Sequence, residues 1–136
     1  RAGELFRATV FLPEDTAPLG VVVVKARIRM GDANAARAEL QRLRAEFEPR
    51  AEIIQDFLRA ASWRSLAEGY QLLGDTNDVG RCYAAALDAG ALNPNARPRA
   101  EDLSATCVSM AVSGFMPSTE LLLRIEHIRA GLADPW

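Results

Sequence analysis

Side chains able to do covalent, acid-base or metal chemistry are few in this chain and stand far apart in sequence. His127 is the only histidine, whereas nucleophilic catalysis needs a nucleophile, a base and an orienting group within hydrogen-bond reach of one another. Placed between Glu126 and Arg129 in an amphipathic stretch, it reads as a solvated helix position. Cys82 and Cys107 are too distant for a CxxC redox or zinc motif, and no second imidazole completes a metal cluster. Both cysteines read as small buried hydrophobes, with a bridge between them the alternative that would imply an oxidising compartment. The pairs Glu14-Asp15 and Glu101-Asp102 are adjacent residues that point in different directions, and they read as acidic helix starts. No glycine-rich phosphate cradle follows a credible strand. These residues predict a non-enzyme with no metal and no cofactor.

The remaining function classes are narrowed by composition. At 136 residues, 49% apolar and 25% charged, the chain has the length and make-up of one globular domain. A net charge of −2 with the signs interspersed gives no footprint for nucleic acid. Apolar runs such as Val21 to Val24 and Leu121 to Leu123 fall far short of the roughly 20 residues of a membrane span. Lys25 is the one lysine among sixteen basic residues and alanine is abundant, a usage that points to a GC-rich bacterial source. The sequence begins at Arg1 without a basic-then-apolar leader, so a targeting segment is expected to lie outside it or to have been removed. Localisation is left open between bacterial cytoplasm and periplasm.

Helices must position whatever function the chain has. Trp63, Leu66, Ala67 and Tyr70 recur at intervals of three, four and seven residues and therefore share one helical face. Gly74 can end that helix, and Asp75 to Asp78 can cap the next, which carries Tyr83 and Ala86. Ala67 and Ala86 are small where two antiparallel helices must approach closely. A second unit precedes this one: Val22, Val23 and Ala26 on one face, a Gly31-Asp32 turn, then Ala36, Leu40 and Leu43. The alternation from Val22 to Met30 also fits a half-buried strand, with Phe6 to Leu12 its only partner. The turn and the clear helix after it favour a helix hairpin.

The Trp63 to Ala86 stretch resembles the tetratricopeptide signature, W-x2-L-G-x2-Y followed by A-x3-F and a late small residue. It departs from the signature at Val79, where the family prefers alanine, and at Ala91, where it prefers proline. The resemblance implies an all-α fold of stacked antiparallel helix pairs in a right-handed superhelix, as part of a longer protein. The expected units are a half-repeat over 1–15, with Leu5, Ala8 and Pro13 at second-helix spacing, repeats over 16–49 and 50–93, and a capping helix pair over 94–136. The two Gly-Asp turns lie 43 residues apart rather than about 34. With Pro49 ending one helix, an extended helix of over 20 residues is expected between Arg50 and Leu73. In the last pair, Leu103, Cys107, Met110 and Ala111 are expected to be buried. Gly114, Pro117 and Ser118 break the pattern before a stripe of Leu121, Ile125, Ile128 and Leu132. The loop from Asn93 to Arg99 reads as a connector rather than a binding loop.

Stacked helix pairs leave a groove lined by the first helix of each pair. The resemblance therefore implies a protein-binding module that takes a peptide or a helix there, as in secretion, envelope assembly or regulation. The expected contacts are Arg64, Glu68 and Gln71, then Lys25 and Arg29 on the preceding first helix and Glu101 and Ser104 on the following one. Their mixed signs do not reproduce the basic cluster by which some family members grip a terminal carboxylate. The alternatives are a self-associating scaffold and a regulatory domain appended to an enzyme.

Overall fold

The computed structural model describes residues 2–9 and 12–132, and every regular element among them is helical. The order is α1 (Ala2–Ala8), α2 (Pro13–Arg29), α3 (Ala33–Phe47), a 3-10 turn (Glu48–Ile53), α4 (Asp56–Leu72), α5 (Thr76–Ala91), α6 (Ala96–Val112) and α7 (Thr119–Gly131). Arg1 and residues 133–136, parts of the expected first and last units, lie outside the described residues, as do 10 and 11. The strand alternative for residues 22 to 30 is replaced by α2, which Pro13 opens from a first-turn position where its missing N–H costs nothing.

Three glycines in left-handed backbone divide the helices into pairs: Gly31 (φ 80°), Gly74 (φ 71°) and Gly114 (φ 68°). Each turn closes in the same way. The residue after the glycine donates its N–H five residues back, Asp32 to Arg27, Asp75 to Tyr70 and Phe115 to Met110, and the glycine itself donates three back, to Ile28, Gln71 and Ala111. This double bond pattern satisfies helix-end carbonyls and requires φ above zero, which only glycine adopts without a steric penalty. Asp32 and Asp75 then cap the next helix, accepting from the N–H of Ala35 at 3.1 Å and of Asp78 at 3.4 Å. The third turn has Phe115 in place of aspartate, so α7 starts later, capped by Ser118 through the Leu121 N–H at 3.2 Å. Gly114 is thus a third copy of the recurring turn rather than a break in it.

Within this framework α2 pairs with α3 and α4 with α5, while the first-position helices α2, α4 and α6 touch in series. Of the second-position helices, α3 reaches α4, and α5 reaches both α6 and α7. Trp63, Leu66, Ala67, Tyr70, Tyr83 and Ala86 are all buried, as their spacing predicts. Phe47 meets Trp63 edge-on at 4.9 Å between ring centroids, joining the second helix of one pair to the first of the next. Gly69, inside α4, lies where an added Cβ would come within 2.9 Å of Leu40 Cδ1 and 3.5 Å of Val21 Cγ2, so its absence of a side chain lets α4 approach the preceding pair.

Three expectations need correction. The long helix between Arg50 and Leu73 is instead a 3-10 turn, a break at Ile54 with extended backbone (ψ 139°), and the 17-residue α4. Arg59 stabilises the break by donating to the carbonyls of Ala51 at 2.7 Å and Ile54 at 3.0 Å. In α2 the buried face is Ala17, Gly20, Val21 and Val24, with Val22 and Ala26 exposed. In α6 Ala111 is exposed and Cys107 half-buried, while Asp102 and Thr106 join Leu103 and Met110 inside.

Candidate functional site

Lys25 on α2, Glu68 and Gln71 on α4, and Ser109 and Ser113 on and just after α6 converge on one groove of about 460 Å³, edged by Leu72 and Val112. They do so because they occupy the last turns of three first-position helices that end in the same turn. The polar side chains form a chain of bonds. Glu68 places one carboxylate oxygen 3.7 Å from Lys25 Nζ and accepts a 3.0 Å hydrogen bond from Ser109 Oγ on the other. Ser113 Oγ donates to the Met110 carbonyl at 3.1 Å. With both serine hydrogens committed, Tyr83 OH is the donor to Ser109 at 2.9 Å or to Ser113 at 3.2 Å. Gln71 Nε2 donates to the Ser113 carbonyl at 3.2 Å.

The floor of the groove is therefore tied to the core through the buried Tyr83. Its one cation stands beside its one carboxylate, so the site offers little net charge. What it offers a ligand is Leu72 and Val112, 52% and 83% exposed, beside groups that can bond to a peptide backbone. Ser109, Ser113 and the anchoring role of Tyr83 were missed from sequence. Serine carries no periodic signal, and the distance from residue 83 to residue 109 is legible only once the helices are stacked.

The other expected contacts fall elsewhere. Arg64 is half-buried, with Nη1 lacking a hydrogen-bond partner, and it faces Asp102 on α6 by charge attraction. Burial pushes the Asp102 carboxyl above its usual range, while Arg64 and a hydrogen bond from Asn93 pull the other way. Arg29 is exposed near the end of α2 and does not line the groove. Glu101 is exposed and paired with Arg97 at 2.9 Å on its own helix. Ser104 lines a different, apolar groove with Leu103, Cys107, Ile125 and Ile128 between α6 and α7. Arg99 is spent on the connector, donating to the carbonyl of Asn93 at 2.8 Å.

Cys82 is buried and Cys107 half-buried, and both are free thiols. Burial pushes the Cys82 thiol up to about 12, against the pull of Arg44, and burial raises Cys107 as well. In both cases burial works against the thiolate that nucleophilic chemistry uses. Among the described residues no three His, Cys, Asp or Glu side chains cluster as a metal site, and no helix is long and apolar enough to cross a membrane. No protein-family model, no curated protein and no solved structure matches the chain.

Proposed function

We propose that this chain is a non-catalytic protein-interaction module of tetratricopeptide type, which holds a peptide or helix of a partner protein in the groove of α2, α4 and α6. The observation that carries the reading is the convergence of Lys25, Glu68, Gln71, Ser109 and Ser113, from three helices, on one surface edged by exposed Leu72 and Val112. Supporting the family assignment are the Trp63 to Ala86 spacing, the threefold recurrence of the glycine turn and the serial contact of the first-position helices. A partner gains affinity from a small apolar anchor against Leu72 and Val112. Orientation comes from backbone groups bonding to Gln71 and the serines. The bonded floor is preorganised, so little side-chain entropy is lost when the ligand arrives.

The test is selection from a random-peptide display library against the wild-type chain, followed by affinity measurement on Leu72→Asp and Gln71→Ala. The reading expects selected peptides to lose at least about tenfold on Leu72→Asp, equivalent to roughly 1.4 kcal/mol. An Arg81→Ala control on the exposed face of α5 should bind as wild type does. Peptides that bind all four proteins alike would remove the groove from the account.

A further inference from the structure

A second cavity, of about 470 Å³, opens between the second-position helices α5 and α7 and shares no lining residue with the peptide groove. Two local departures from the repeating pattern create it. Helices α3 and α5 begin two residues after their glycines, whereas α7 begins five residues after Gly114. The chain between Gly114 and α7 therefore forms a wall of its own, from which Phe115, Met116 and Ser118 line the cavity. The facing wall carries Gly80. Counted from the glycine turns, Gly80 of α5 stands where Arg37 stands on α3, and Arg37 fills the space beside the next turn by donating to the Leu73 carbonyl at 3.5 Å. A Cβ on Gly80 would stand 3.7 Å from Phe115 Cζ. The glycine thus opens the edge of an otherwise buried ring to the cavity.

Two arginines border this apolar floor, and they differ in what holds them. Arg124 on α7 is committed to Asp88, with Nε 2.6 Å from Oδ1. Arg81 on α5 is 72% exposed and stands 3.8 Å from Asp78 Oδ1, an oxygen that Arg44 already holds at 2.5 Å. Among the described residues Arg81 makes no hydrogen bond. Its planar fork of donors is open to a carboxylate, the partner that such a fork matches in two parallel bonds. Of the residues lining the cavity Glu120 is the only acid, and it lies in the first turn of α7, where the positive helix end favours it. The Arg81 charge is left unanswered, while Glu120 disfavours a ligand that carries a second negative charge.

We propose that this cavity binds a small monocarboxylate with an apolar body. The carboxylate is held by Arg81, and the body lies over Phe115 and Leu121 with the exposed Met116 closing against it. The volume is that of a small-molecule site, and an apolar floor with one convergent charged group is the usual make-up of such sites.

The experiment is an NMR titration of the isotope-labelled chain with phenylbutyrate, and with phenylbutylamine as its cationic counterpart. Amides of Thr76, Gly80, Arg81 and Phe115 should shift together with phenylbutyrate along one saturation curve, and the amine should bind at least about tenfold more weakly. Arg81→Gln should weaken phenylbutyrate by at least about tenfold through loss of the charged fork. Gly80→Leu, which fills the cavity from within α5, should abolish binding. Circular dichroism checks that both variants keep their helix content. Leu72→Asp, in the peptide groove, should bind phenylbutyrate as wild type does, so this site and the groove stand or fall separately. An amine that binds as tightly as the carboxylate would overturn the proposal, and so would undiminished binding by Arg81→Gln, saturable shifts centred outside the cavity, or none at all.

Discussion

Leu43 of α3 occupies the space that a side chain on Gly20 of α2 would need: an added Cβ would overlap both methyl groups of this fully buried leucine. The contact sets how closely the first helix pair closes, and thereby where Lys25 is carried at the other end of α2. Gly20→Ala should destabilise the fold by about 1–3 kcal/mol, the cost of overpacking a filled core. The helix propensity gained from alanine offsets only about 1 kcal/mol of this. Chemical denaturation measures the difference, and an unchanged midpoint would show that the pair does not close as described.

Removing the Tyr83 hydroxyl should loosen the groove without unfolding the chain. Tyr83→Phe leaves the ring, which lies 5.3 Å from Phe115 between centroids, but deletes the donor shared by Ser109 and Ser113. A loss of about 1 kcal/mol in stability is expected. Amide exchange should become faster around Ser109 and Ser113 than around Trp63, and a uniform change would argue against a local anchor.

Thiol chemistry gives an independent check on packing. With Cys82 buried and its thiol raised to about 12, and Cys107 half-buried in the apolar groove beside α7, alkylation of the native chain at neutral pH should reach Cys107 slowly and Cys82 not at all. Unfolding should expose both. Mass spectrometry of the labelled peptides reads the result directly, and rapid native labelling of Cys82 would contradict its place in the core.

Asp102 should leave a signature in the pH dependence of stability. Burial raises its carboxyl in the folded chain above the ordinary value of 3.8, so between those two values the native state binds more protons than the unfolded state. Stability on this account falls as pH rises from the unfolded value through the folded one, and stays lower above it. Asp102→Asn, which carries no charge to desolvate, should be at least as stable as wild type at neutral pH, despite the lost attraction to Arg64. That advantage should vanish in acid, where Asp102 is itself protonated. Denaturant midpoints at the two pH values provide the comparison, and a variant much weaker at neutral pH would show that attraction to Arg64 outweighs burial.

The legible parts of the fold were those where side-chain type and helical period agree. Trp63, Leu66, Ala67 and Tyr70 admit only one phase, and all four are buried where that phase puts them. Four consecutive valines from Val21 to Val24 admit several, and close packing at Ala17 and Gly20, which carry little hydrophobic signal, decides among them. Thr106 looks polar in sequence but bonds its hydroxyl to the Asp102 carbonyl one turn back at 2.8 Å, so it packs as an apolar group. The third turn was hidden because Phe115 replaces a capping aspartate and spends itself on the core, while the backbone bonds that define the turn use no side chain at all. Of the seven contacts that the resemblance implies, Lys25, Glu68 and Gln71 line one groove in the structure. Arg64, Arg29, Glu101 and Ser104 lie outside that groove, because the phase of α6 and the tilt of each helix are products of packing.

The central claim, that a partner is held between the last turns of α2, α4 and α6, is tested most directly by a residue-resolved NMR titration of the chain with a library-selected peptide. Amide resonances of Lys25, Glu68, Gln71, Leu72, Ser109, Val112 and Ser113 should shift together along one saturation curve, with α3 and α7 unmoved. Saturable shifts centred on α3 or α7, with those seven unmoved, would contradict it.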